Sequence, residues 1–206
     1  MTTDLIRLVR GQEVPAAGVW EIPPDRASIQ FTLRRRCARP IRGQFRLDDG
    51  VILIAVDPHE SVAAISIDAG SLNSANPRRD ARVRARVLAT NRFPTIDLFI
   101  DAVEQQTRWE WSALGKLRIR DITNPVALCF TYDGVDDCGD ARFRARTTLS
   151  VADLGIGGRW ARVFARSHNV EVRVEVHARC ISDIAAESHE FATFATAGRH
   201  PHPSLQ

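Results

Sequence analysis

Six arginines crowd the stretch NPRRDARVRARVLATNRFPTIDLF, residues 76–99, and a second basic run, RRRCARPIRGQFR, spans 34–46. Guanidinium groups at this density can grip phosphate oxygens by paired, charge-assisted hydrogen bonds. A nucleic-acid groove would also need aromatic side chains interleaved on one basic face. The second run offers a single Phe45, and 25 acids offset 28 bases to leave a net charge of +3. Lys116 is the sole lysine, so the arginine enrichment runs through the whole chain and is compositional. Specific nucleic-acid binding is therefore not expected.

Other chemistry is thinly supplied. Histidines 59, 168, 177, 189, 200 and 202 are scattered, and no nucleophile elbow, zinc-protease helix or Walker loop is present. The reading is non-enzymatic, with no catalytic residues, no metal site and no cofactor. Cysteines 37, 129, 138 and 180 lack C-x-x-C spacing and read as reduced structural thiols, with a Cys129–Cys138 hairpin bridge as the alternative. The N-terminus carries Asp4, Arg7 and Arg10 in place of an unbroken apolar run, and no stretch has the length of a membrane span. A cytoplasmic protein is expected.

The elements that would position these residues are strands. Ala27, Ile29, Phe31 and Leu33 alternate with polar residues, as do Ile65 with Ile67, Val126 through Tyr132, and four valines in 170–177. In 142–149, Phe143, Ala145, Thr147 and Leu149 alternate with three arginines and a threonine, which places those arginines on a wet face. Thr107, Trp109, Trp111, Ala113, Gly115, Leu117 and Ile119 share one parity. They predict a long strand with two inward tryptophans and a bulge at Gly115. Turns are expected at Asp48-Asp49-Gly50, Asp57-Pro58, Asp133-Gly134 and Gly157-Gly158. The 77–88 segment fits either period. Asn76-Pro77 is a helix start, and it favours a short helix ending before Asn91, with a new strand from Thr95. About eight short antiparallel strands predict a closed barrel or a sandwich. Residues 1–15 read as an extension, 16–180 as the barrel domain and 181–206 as a tail.

Seven segments in order resemble the YceI-like family: GVWEIPPDRASIQFTL (18–33), RGQF (42–45), DDG (48–50), IDAGSLNSANPRRDARVRARVLATNRFPTI (67–96), GKLRIRDITNPVAL (115–128), FRARTTLSVADLGI (143–156) and VEVRVEVHA (170–178). Their most specific elements are Ser74, Asn76, Arg79 and Asp80 with the FPT at 93–95, and the string from Gly115 to Val126. The resemblance implies a mainly β fold: an eight-stranded antiparallel lipocalin-like barrel with a short helix near 77–88. It implies binding, storage or transport of a polyisoprenoid or other long-chain amphipathic lipid inside the barrel. A ligand-free stress-associated barrel or interaction protein is the alternative.

On that reading the cavity wall comprises Ile29, Phe31, Phe45, Ile65, Ile67, Trp109, Trp111, Leu117, Phe130, Phe143 and Ala145. Arg34, Arg36, Arg82 and Arg86 are the candidates for a head group, while Asn76, Arg79 and Asp80 form a structural motif in which Arg79 and Asp80 pair. Pro23 and Arg26 stand where the family usually has Asp and His, and Arg34-Arg35-Arg36 where a histidine usually follows the next strand, so the mouth is more cationic. A homodimer is a further expectation.

Overall fold

Apolar residues at every second position force a sheet to bury one face, and closure into a barrel buries it on itself. In the computed structural model, which describes residues 5–35, 38–151, 154 and 169–183, that is the outcome. The strands are β1 (Ile6–Val9), β2 (Gln12–Pro15), β3 (Gly18–Glu21), β4 (Ala27–Arg35), β5 (Ala38–Ile54), β6 (Val62–Asn73), β7 (Thr95–Gln105), β8 (Trp111–Ile119), β9 (Ile122–Val135), β10 (Ala141–Ser150) and β11 (Asn169–Asp183). From β4 to β11 each strand pairs antiparallel with the next, and β11 pairs back onto β4 to close the ring. The eight-stranded barrel is thus present.

One stave is made of two strands. β3 and β4 both run antiparallel to β5 and to β11, at successive levels of the barrel. A single 3-10 turn at Pro24–Arg26 separates them. Pro23 and Pro24 lack the N–H groups a continuous ladder would need, so the stave breaks there.

The barrel has two unlike ends. At one, β1 and β2 form a separate hairpin, so the described part of the expected N-terminal extension is built into strands. Ala16 N–H donates to the Leu5 carbonyl at 2.9 Å, Arg7 reaches the carbonyls of Ala55 and Val56, and Gln12 reaches that of Arg108. The hairpin therefore bridges the 55–61 and 106–110 connections, and its Val14 is buried against Trp111, Val103 and Ile100. At the other end, β6 is joined to β7 by α1 (Pro77–Val83) and a wide π turn at Arg84–Leu88. The Asn76 side chain accepts from Arg79 N–H at 3.0 Å, the cap expected from the sequence, and Pro77 is the first helical residue. Ala89, at φ +52°, ends the turn before the strand that begins at Thr95.

Several expectations shift. Asp48-Asp49-Gly50 is no turn: β5 runs through it with a register shift against β6 between Leu47 and Asp49. A bulge bends a strand where a turn would end it. Gly115 lies opposite an irregularity in β7 between Ile100 and Ala102, so the extra residue sits on the partner strand. A Cβ on Gly115 would collide with the Phe99 carbonyl oxygen, which is why glycine is required there. β8 starts at Trp111, leaving Trp109 in the preceding turn. β11 continues to Asp183, past the expected start of the tail, because it pairs with β3 there. Gly157-Gly158 lies outside the described residues.

Candidate functional site

Inward side chains of the staves enclose two cavities that abut along the barrel. The one at the hairpin end has a volume of about 160 Å³, and Ile65, Leu98, Phe143, Ala145 and Val174 are on its wall. The one at the helix end has about 570 Å³, with Ile67, Ile96, Leu149 and Val172. On β6, β7 and β11 the residues that line one cavity and the other are two positions apart on the same face, about 6–7 Å along a strand. The two spaces are consecutive levels of one interior.

Their chemistry differs. The hairpin-end wall is hydrocarbon apart from Ser61, Tyr132 and the indole N–H of Trp111, and Val14 and Pro15 of β2 contribute to it. Trp111 stacks on Phe130 with ring centroids 6.2 Å apart. The helix-end cavity is apolar below, where Phe31 and Phe45 meet at 5.6 Å, and polar at its rim. Gly43, opposite Phe31 in the ladder, leaves room for that ring: a Cβ there would overlap it.

The rim at the helix end is organised by Ser74. Asp80 is buried and accepts from both the backbone N–H (3.0 Å) and the hydroxyl of Ser74. Arg79 donates to the Ser74 hydroxyl oxygen at 2.8 Å and to its carbonyl at 2.6 Å. The two residues meet through Ser74, and no direct ion pair joins them among the described residues. Burial pushes the Asp80 carboxyl up, but the hydrogen bonds from Ser74, the backbone at Asn76 and the Arg79 charge together hold it below the usual carboxylate range. Arg84 fixes the turn by donating to the carbonyls of Gly70 and Leu72, each at 3.3 Å.

A third hollow, of about 810 Å³, lies beside the hairpin and is polar. Glu13, Asp133 and Glu175 face Arg108, Arg142 and Arg144 around it, with His177 adjoining. Arg144 is paired with Asp133 at 2.5 Å, and His177 donates to Asp136 at 2.8 Å. Near this end Asp140 is fully buried, with Arg179 at 3.3 Å and Arg26 at 3.9 Å. Arg26, the residue that departs from the family's histidine, thus meets a buried carboxylate.

The residues expected from the sequence divide between these spaces. Ile29, Phe31, Phe45, Ile67 and Leu117 line the helix-end cavity; Ile65, Trp111, Phe130, Phe143 and Ala145 line the hairpin-end one. Trp109 lies elsewhere: it is 68% exposed, beside the polar hollow, with the Arg108 guanidinium 4.9 Å above its ring. It falls outside the strand, so its parity with Trp111 carries no facing. Arg34 points outward and pairs with Glu171 across β4 and β11. Arg82 is exposed on the helix-end rim, Arg86 is exposed on the wide turn, and Arg36 lies outside the described residues. Cys129, Cys138 and Cys180 are free thiols, so the alternative bridge is not formed. Ser74, the hub of the rim, was marked in the sequence only as part of the family resemblance, and Arg78 beside it was not singled out. Tyr132 was legible only as one more member of an inward face.

Fold and interior define a closed antiparallel β-barrel with an apolar lumen, of the lipocalin-like class. The YceI-like domain model matches residues 20–179, and the chain belongs to that family. Among solved structures it is similar to Burkholderia cenocepacia BcnA (14% identity, TM-score 0.63, covering 76% of this chain and 98% of that one). It is also similar to a polyisoprenoid binding domain from Saccharophagus degradans implicated in plant cell wall breakdown (12%, TM-score 0.59, 79% and 98%). A third is the Campylobacter jejuni YCEI protein (17%, TM-score 0.56, 70% and 89%). At these identities the likeness is one of fold. No curated protein matches the chain in sequence. No helix among the described residues is long and apolar enough to cross a membrane.

Proposed function

We propose that this protein binds a polyisoprenoid or similar long-chain amphipathic lipid within the barrel, for storage or transport, without catalysing a reaction on it. The observation that carries the reading is the pair of abutting apolar cavities, about 160 and 570 Å³, in an interior that a close-packed core would fill. A hydrocarbon chain entering them removes its own surface from water at roughly 25 cal/mol per Å². Polar groups stand only at the ends, which suits an amphipathic molecule. Membership of the YceI-like family and the likeness to a polyisoprenoid binding domain support the same reading.

The test is a titration with a fluorescent isoprenoid, competed by unlabelled polyprenol, on the natural protein and on Ala145→Phe. Ala145 is on the wall of the hairpin-end cavity, where a ring would occupy the lipid's space. The variant should fold with an unchanged melting temperature and lose most of its affinity. A parent that never binds the probe, with a variant destabilised by roughly 1–3 kcal/mol through overpacking, would establish the ligand-free barrel instead.

A further inference from the structure

One side chain in the hairpin-end cavity has a hydrogen-bonding capacity that nothing in the described protein uses. Tyr132 points inward from β9 and is paired in register with Phe143 of β10, their rings 5.5 Å apart. Its hydroxyl oxygen is buried and has no hydrogen-bond partner. Burial, followed by the nearby Glu13 charge, pushes the phenol up to about 12, so the group stays a proton donor under all ordinary conditions. Ser61, the other hydroxyl on this wall, differs in having a partner: its oxygen accepts from Ala55 N–H at 3.1 Å. A buried donor without an acceptor is a standing cost to the fold, and a ligand oxygen at that point would remove it.

Size and charge narrow the ligand. The cavity's 160 Å³ is close to the ~150 Å³ that accommodates a benzene-sized guest. None of its described lining residues is charged. A pyrophosphate placed there would lose its hydration with no cation to replace it. Arg7, beside the wall, is held on the carbonyls of Pro15, Ala55 and Val56, and the arginines of the adjoining polar hollow face three acids. Tyr132 lies on the walls of both spaces and so marks the boundary between hydrocarbon and polar surroundings.

We propose that Tyr132 is the head-group donor: an uncharged, ring-sized head bearing a carbonyl or similar acceptor oxygen sits in the hairpin-end cavity, hydrogen-bonded to the Tyr132 hydroxyl. The tail then runs through the larger cavity towards α1. This rests on the lipid-binding reading and assigns the head's chemistry, its place and the ligand's direction. The helix-end rim, where Arg79 is held on Ser74 and Arg82 is exposed to solvent, is left as the tail's exit.

Three probes test it on the natural protein and on Tyr132→Phe, read by quenching of tryptophan fluorescence or by competition: a benzoquinone with a decyl tail, squalene as a headless hydrocarbon, and farnesyl pyrophosphate. Trp111 lies on the same cavity wall, so a quinone seated there should quench it. The natural protein should bind the quinone more tightly than the pyrophosphate. Tyr132→Phe should weaken quinone binding about tenfold, the effect of one lost hydrogen bond, and leave squalene unchanged. Its melting temperature should hold or rise, because an unsatisfied buried hydroxyl is removed. Equal quinone affinity in both proteins, or preference for the pyrophosphate, would overturn the assignment to Tyr132 while leaving lipid binding intact. Failure of all three probes to bind the natural protein would overturn the lipid reading itself.

Discussion

The two ends of the barrel are closed by different physics. At the hairpin end the closure is a small sheet of two strands whose Val14 seats against Trp111, backed by Trp20, which is wholly buried with its indole N–H donating to the Ala16 carbonyl at 3.1 Å. At the helix end the closure is a polar bracket, with Ser74 holding Asp80 and Arg79 while α1 spans the opening. Apolar packing tolerates small shifts and excludes water; a hydrogen-bonded bracket fixes geometry and fails when one member is lost. The difference places a dry, ring-sized space under the hairpin and a larger, rimmed space under the helix.

The largest effect should come from the hairpin side. Trp20→Ala removes a fully buried ring from the core cluster containing Ile22, Ile54 and Ala178. It should cost about 3–5 kcal/mol, lowering the melting temperature by roughly 10 °C or more. A smaller loss would mean that the hairpin end collapses readily around the vacancy and is less rigid than its packing implies.

Next is the bracket. Asp80→Ala leaves the Ser74 amide and hydroxyl without their carboxylate acceptor and should cost about 1–3 kcal/mol. The Asp80 carboxyl lies below its unfolded value in the folded protein, so its contribution is complete above about pH 4 and is lost as pH falls through the lowered folded value. The gap between variant and parent should therefore close in acid. A gap that widens in acid would contradict the role given to Asp80.

The hairpin side has an acid-sensitive contact of its own. The His177 hydrogen bond, then the backbone amides of Asp140 and Cys138, bring Asp136 down to about 2 from its model-peptide value of 3.8. The folded value is the lower one, so stability from this group is lost as pH falls from about 3.8 towards 2. Asp136→Asn should flatten stability across that interval in an acid titration followed by circular dichroism. An unchanged slope would assign acid sensitivity to other carboxylates.

The smallest effect should be a gain. Ala89 closes the wide turn at φ +52°, a region that costs a residue with a Cβ. Ala89→Gly should relieve a left-handed penalty of about 1–2 kcal/mol, less the greater unfolded-state freedom of glycine, a net gain measurable in chemical denaturation. A loss would mean that the turn is held by the Ala89 methyl group.

The staves were legible because period-two alternation needs no tertiary information: Ile29 and Phe31, Ile65 and Ile67, and Phe143 and Ala145 all face the lumen as their parity predicts. Asn76-Pro77 likewise announced α1. Parity failed at Trp109 because alternation fixes a facing only while the strand continues, and nothing local marks Trp111 as the first paired residue. Asp48-Asp49-Gly50 has the composition of a turn, yet a bulge absorbs it. The division into two cavities was not legible, since it depends on which rings meet across the lumen. Nor was the role of Ser74, a residue type found on every surface. The unpartnered state of the Tyr132 hydroxyl depends on what lies opposite in space.

A barrel that encloses a lipid should carry it through purification. Native mass spectrometry of the purified protein, followed by organic extraction of what it carries, tests this most directly. The loaded barrel should give a species heavier than the bare chain by one long-chain lipid, with an isoprenoid-type tail and an uncharged ring head recovered in the extract. A single peak at the mass of the bare chain, unchanged after incubation with polyprenol or with the decyl benzoquinone, would contradict lipid binding.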